Sequence, residues 1–230
     1  GWHPRWLMRE QSLWTPAGIP DGRSCALINE EGMIEVAEGS FSVEPFVEVN
    51  RRLFTWADVK LRQELRDGWR PVPSVIWTTE EWTMQLEAEP KADGSVCARH
   101  HFVNLTGRTL QVRLLATMRP FQVTPPWQHF RNVGGLGRIH DLKRQDGGVR
   151  VNDAISIFPD DAFPVSFGAQ TFDEGLLLER LSKGGMPERD AVHDEAGFGS
   201  GVLAFSLTLE AGGEARTGRG TPRGRPAPDP

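Results

Sequence analysis

Apolar and polar residues alternate with a period of two through much of this chain. In WTMQLEAE (82–89), Trp82, Met84, Leu86 and Ala88 fall on one face, with Thr83, Gln85, Glu87 and Glu89 on the other. In TLQVRLLATM (109–118), Leu110, Val112, Leu114, Ala116 and Met118 face one way and Gln111, Arg113 and Thr117 the other. In VLAFSLTL (202–209), Leu203, Phe205, Leu207 and Leu209 alternate with small or polar residues. Successive side chains of a strand point to opposite faces. Each stretch therefore predicts a half-buried strand of an antiparallel sheet.

Turn residues sit where such strands need them. INEEGMIEV predicts a hairpin through residues 29–32, and Asp93-Gly94 separates the Trp82 strand from one over 96–104. NLTGRT joins that strand to the next, with Gly107 available for a positive φ, and Asp146-Gly147 predicts another hairpin. A sheet of about a dozen strands splits into two packed layers, so the chain reads as an all-β, antiparallel two-sheet sandwich with at most one or two short helices. The one helix expected is PERDAVHDEAG (187–197). Pro187 fits the first helical position, Glu188 and Asp190 the first turn, and Gly197 the stop.

Residues 1–216 read as this one domain. From Thr217 the text changes to TGRGTPRGRPAPDP, with no aliphatic side chain larger than Ala. Such a segment cannot bury enough surface to fold alone, so 217–230 is expected to be a tail or linker lying against another surface.

Composition narrows the function classes. The 230 residues are 38% hydrophobic and 25% charged, enough for a sizeable core, and 25 Gly with 17 Pro favour many short elements. A net charge of −5 gives no basis for a nucleic-acid partner. No apolar run approaches the roughly 20 residues needed to span a bilayer. No stretch reads as a secretory signal. No membrane partner is expected, and both a cytoplasmic and a secreted compartment stay open. Cys25 and Cys97 follow no metal-ligand spacing, and either two buried thiols or one bridge fits them. Nothing calls for a metal or a cofactor. Eight Trp with no Tyr stand out, since Trp suits cores, interfaces and sugar-stacking platforms alike.

The phrases SLWTPAGIPDGRSCALINEEGMIEVAEGSFSVEPFV, TWADVKLRQELRDGWRPVPSVIW and MRPFQVTPPWQHF with GGLGRIHDL carry a resemblance. Over residues 2–212 the chain resembles the N-terminal galactose-mutarotase-like β-supersandwich of bacterial multidomain carbohydrate-active proteins. In those, the sandwich precedes an (α/α)6 catalytic barrel of glucoamylase, debranching or phosphorylase type. The resemblance implies a supersandwich and a helical catalytic partner, in cis or in trans. The family's acid and base carboxylates sit in the barrel, and this chain has no run of amphipathic helices to build one. It is therefore expected to be a non-catalytic, carbohydrate-enzyme-associated domain.

Two other functions have candidate residues. ARHHFVNLTG (98–107) resembles a phrase of mutarotase-type epimerases in which a His acts as acid toward the sugar ring oxygen, which would make His100 or His101 that acid. Epimerisation also needs an opposing carboxylate, and no spacing nominates one. On alternation, His100 shares a face with Phe102 and His101 with Val103, so one packs inside and one faces water. The second alternative is a free-standing module that binds oligosaccharide.

PPWQHF supplies that alternative's residues. Pro125-Pro126 is expected to hold an extended, polyproline-like segment that presents Trp127, Gln128 and His129. Trp69, after Asp67-Gly68 and before Pro71, reads as a loop residue and joins them as a candidate ligand contact, whereas Trp77 and Trp82 read as core. The pairs Glu30-Glu31, Glu80-Glu81 and Asp160-Asp161 read as solvated turns and strand ends, because adjacent carboxylates point apart and do not flank a glycosidic bond. His193, Asp194 and Glu195 match no metal spacing, and GGLG (134–137) lacks the Lys and Ser/Thr of a phosphate loop.

Overall fold

The computed structural model describes residues 1–22, 25–128, 134–159 and 163–217. Among these, the strands in chain order are β1 (Trp14–Ala17), β2 (Ala26–Asn29), β3 (Ile34–Glu35), β4 (Ser42–Val49), β5 (Arg52–Phe54), β6 (Lys60–Arg66), β7 (Arg70–Thr78), β8 (Trp82–Pro90) and β9 (Val96–Asn104). They continue with β10 (Leu110–Arg119), β11 (Asp141–Gln145), β12 (Gly148–Val151), β13 (Ile155–Ile157), β14 (Val165–Gln170), β15 (Ala191–His193), β16 (Ser200–Leu209) and β17 (Glu214–Thr217). One short α-helix, α1, spans Leu177–Ser182.

The fold is all-β and its strand ladders are antiparallel. An eight-stranded sheet runs β1-β2-β3-β4-β10-β16-β14, with β5 beside β4. A five-stranded sheet runs β17-β9-β8-β7-β6, and a third sheet of four strands runs β13-β12-β11-β15. One core joins them. Trp77, Trp82, Met84, Leu86 and Phe102 of the five-stranded sheet meet Val47, Leu110, Leu114 and Leu207 of the eight-stranded sheet, with Leu142 and Val151 from the third. The alternating faces expected of β8, β10 and β16 supply most of these contacts. Full burial of such a side chain stabilises by roughly 1.5–3 kcal/mol, so this shared core holds the layers together. Cys25 and Cys97 remain as thiols.

The eight-stranded sheet is also covered on part of its other face. Leu177, Leu178 and Leu181 of α1 pack on Phe46, Leu115, Val202 and Ala204. That is why β10 buries consecutive residues at Leu114 and Leu115 instead of strictly alternating. The helix lies at LLERLS and not at the expected 187–197. In that segment Val192 alone offers a buried aliphatic residue, and β15 pairs with β11 in the register Leu142↔Val192. Gly197 serves a turn after Asp194, through Gly197 N–H to the Asp194 carbonyl at 3.0 Å.

The turn NLTGRT joins β9 to β10 as expected. It crosses between sheets, because β9 belongs to the five-stranded sheet and β10 to the eight-stranded one. Its fixed point is the buried Asn104 side chain, which donates to the carbonyls of Arg108, Leu209 and Glu210 and accepts from the Thr106 N–H. Gly107 does not adopt positive φ. β17 runs through Thr217, one residue past the expected domain end, and residues 218–230 lie outside the described residues.

Glycine is needed where backbones touch. A Cβ on Gly137 would sit 2.1 Å from the Ser40 carbonyl oxygen, whereas one on Gly107 would meet nothing within 4 Å. Gly137→Ala is expected to lower the unfolding free energy by about 2 kcal/mol or more through forced backbone displacement. Gly107→Ala should leave it unchanged or raise it by up to about 1 kcal/mol, by restricting the unfolded chain. Urea denaturation of both variants checks this. Equal effects would remove the close-approach explanation.

Candidate functional site

The segment after β10 does not cross the molecule as an extended rod. It folds back on GGLG. Gly135 N–H donates to the Thr124 carbonyl at 2.6 Å, Gln122 N–H to the Gly135 carbonyl at 2.9 Å, and Gly137 N–H to the Pro120 carbonyl at 3.2 Å. A Cβ on Gly134 would lie 2.4 Å from the Thr124 and Pro125 oxygens, so these glycines serve contact between two backbone segments. The buried Glu35 carboxylate takes the N–H groups of Gly39 and Val123 at 2.7 and 2.9 Å. Burial raises the Glu35 carboxyl above its ordinary value, and these hydrogen bonds oppose the rise.

Arg119, the last residue of β10, ties this loop to the sheet and to the N-terminal arm. Its Nη1 donates to Glu44 Oε2 at 2.9 Å and its Nη2 to the Trp2 carbonyl at 2.7 Å. Its guanidinium lies 4.7 Å from the Phe121 ring centre and 5.9 Å from that of Phe46. Glu44 is buried, and burial pushes its carboxyl upward while Arg119 pulls it back.

The arm is fixed residue by residue. Trp56 Nε1 donates to the His3 carbonyl at 3.1 Å, Arg5 N–H to Glu31 Oε1 at 2.8 Å, and Trp6 Nε1 to the Gln122 carbonyl at 3.0 Å. Glu31 is thus not the solvated turn residue expected of the Glu30-Glu31 pair. It is buried, and burial pushes its carboxyl up to about 7.

Arm, loop and α1 together enclose a pocket of about 250 Å³. Trp2 and His3 come from the arm, Arg119 from the end of β10, Pro120, Phe121 and Leu136 from the loop, Phe172, Gly175 and Leu176 from the segment leading into α1, and Leu177 and Leu178 from α1 itself, with Phe198 and Ser200 beside them. The rim is apolar and open to solvent at Trp2, Leu136, Phe172 and Leu176. Phe172 and Phe198 lie 5.7 Å apart between ring centres. The ionisable groups carry little free charge. Arg119 is paired with Glu44, and burial, followed by the nearby Arg119 charge, lowers the affinity of His3 for a proton.

The candidate residues named from the sequence separate into three places. Trp127 is 55% exposed and meets the edge of Trp6 at 6.3 Å. It stands on a turn closed by Gln128 N–H to the Pro125 carbonyl at 3.0 Å. Pro125-Pro126 therefore starts a β-turn and does not hold the extended form expected of it, since Pro is favoured at the second turn position. Gln128 is half-buried, and its Oε1 is enclosed without a hydrogen-bond partner among the described residues. His129 lies outside the described residues, as do Asp160 and Asp161. Trp69 is 71% exposed on the β6–β7 turn, stacked with Arg70.

His100 and His101 lie on β9, in the five-stranded sheet, away from the pocket lining. His100 is buried, with Nδ1 3.1 Å from Thr217 Oγ1, and burial lowers it to about 4. His101 points outward, with Nε2 2.7 Å from Glu214 Oε2. One inside and one outside is what alternation predicts.

The pocket residues Trp2, His3, Arg119, Phe172 and Leu176 were not singled out from the sequence. The available signal was an Arg closing an alternating apolar strand next to Pro120-Phe121, and a Glu inside the apolar run SVEPFVEV.

The buried imidazole has a consequence for stability. The unfolded His100 takes a proton near its ordinary 6.5, whereas the folded one refuses it until about 4. Its contribution is complete above 6.5 and falls as pH drops toward 4, by about 2 kcal/mol between pH 7.5 and 5. Glu31 acts in the opposite sense. Its raised value makes its contribution complete at low pH and lost as pH rises through about 7. Comparison of His100→Asn with the parent isolates the first effect. The difference in unfolding free energy should move by about 2 kcal/mol in the variant's favour from pH 7.5 to 5. A difference independent of pH would contradict a neutral buried imidazole.

Comparison with protein-family models gives no match, and comparison with curated proteins gives none either.

Proposed function

We propose that this chain is a non-catalytic β-sandwich domain that docks onto a helical domain of glycoside-hydrolase type through the face around Arg119. The observation that carries the reading is the apolar pocket with Trp2, Leu136, Phe172 and Leu176 exposed at its rim. Exposed apolar groups gathered at one place mark an interaction site more often than groups scattered singly. Leu7, Met8 and Trp127 are further exposed apolar residues on and beside the arm, and the buried Trp6 contacts both Phe121 and Trp127. The resemblance to sandwich domains that precede a helical barrel supplies the class of partner.

The sandwich's histidines favour this reading over epimerase chemistry. A general acid must reach the proton it transfers. His100 is enclosed and engaged by Thr217, and His101 is engaged by a carboxylate beside it and not across a substrate. A carbohydrate-binding role keeps one observation in its favour, the exposed Trp127 on its proline-primed turn.

Calorimetry of the chain against helical carbohydrate-active domains from the same genome tests the proposal. A complex is expected, weakened about tenfold or more by Phe172→Asp. Absence of any complex, or one indifferent to that change, overturns it. Titration with maltoheptaose in parallel should give no heat that Trp127→Ala removes.

A further inference from the structure

Volume, wall chemistry and charge together restrict what enters the pocket. An apolar cavity of roughly 150 Å³ holds a benzene ring, and drug-sized ligands occupy roughly 300–1,000 Å³. At about 250 Å³, this pocket suits one or two fused rings and not an oligosaccharide. Rings from Trp2, Phe121, Phe172 and Phe198 contribute to the wall, and aromatic pairs in edge or offset contact gain attraction beyond their buried area. Sugar hydroxyls would lose water here for few partners, and each unsatisfied group costs about 1–3 kcal/mol. An ionised side chain finds no free counter-charge, because Arg119 already faces Glu44.

We propose that the pocket seats a single uncharged aromatic side chain, of phenyl to indole size, carried by the docking partner. This rests on the docking reading and specifies its anchor. A buried aromatic anchor in a preformed pocket is where binding energy concentrates in protein interfaces. The seat is preformed because Trp2 is held through its carbonyl by Arg119 and α1 is packed on Leu115 and Val202.

Saturation-transfer NMR with N-acetyl-tryptophanamide as the probe tests the seat. The neutral probe should bind with a dissociation constant of about 1 mM. Binding should weaken at least about tenfold in Phe172→Ala, a change at a residue 56% exposed. It should vanish in Ser200→Leu, which fills the pocket from the half-buried start of β16. N-acetyl-glutamate and maltose should give no transfer that Ser200→Leu abolishes.

Absence of probe binding, probe binding that survives both variants, or maltose binding lost in Ser200→Leu would overturn the proposal. Urea denaturation confirms that both variants are folded, and Phe172→Ala stands alone if Ser200→Leu is not. Probe binding without docking of any helical domain leaves the aromatic seat and removes the docking reading. Docking that persists unchanged in a folded Ser200→Leu, with no probe binding, does the reverse.

Discussion

The buried ion pair between Arg119 and Glu44 is the constraint on which the face around the pocket depends. Both side chains are almost wholly enclosed. Removing two charges from water is expensive, and their attraction offsets that only when further hydrogen bonds and close contacts complete the site. Here Ser42 Oγ lies 3.2 Å from Glu44 Oε1, the Trp2 carbonyl takes a second Arg119 N–H, and the rings of Phe46 and Phe121 flank the guanidinium. The pair therefore does more than join β4 to β10. It fixes the first residues of the arm against the sheet, and so sets the Trp2 wall of the pocket.

A second set of contacts fixes the loop that carries Phe121 and Leu136. Glu35 holds Gly39 and Val123, and GGLG lies against Thr124, Pro125 and Ser40 at distances only glycine allows. Loop, arm and α1 then meet around an apolar cavity. On the outer face of the five-stranded sheet, by contrast, Arg66 pairs with Glu87 and Glu89 at 2.7 and 2.9 Å. Chemistry that needs a free acid and base has little to work with at His100 and His101, which are engaged by Thr217 and Glu214.

Much of the sandwich was legible because its strands carry one buried face. Trp82, Met84, Leu86 and Ala88 announce β8 without reference to any other part of the chain, and the same period puts one of His100 and His101 inside and the other outside, the structure deciding that His100 is the buried one. PERDAVHDEAG misled because its start and stop residues match a helix, while its apolar content suits only an edge strand beside β11. The pocket was less legible for a different reason. Arg119 and Glu44 are 75 residues apart, and nothing local to either shows that the β4–β10 register sets Thr117 opposite Glu44 and Arg119 opposite Ser42. Trp2 and Phe172 become pocket walls only after that register and the packing of α1 are in place. Trp127, by contrast, was legible as an exposed residue, although its turn replaced the extended form that two prolines suggested.

The most direct test of this account is a double-mutant cycle on the pair, with hydrogen exchange measured over residues 2–6. Arg119→Met alone should cost about 3–5 kcal/mol, because it leaves Glu44 buried without a partner. Adding Glu44→Leu should recover much of that loss, giving a coupling well above 0.5 kcal/mol, yet exchange protection in the arm should stay lost because the Trp2 carbonyl has no donor. Additive costs within about 0.5 kcal/mol, or an arm still protected without Arg119, would contradict the claim that this pair builds the face.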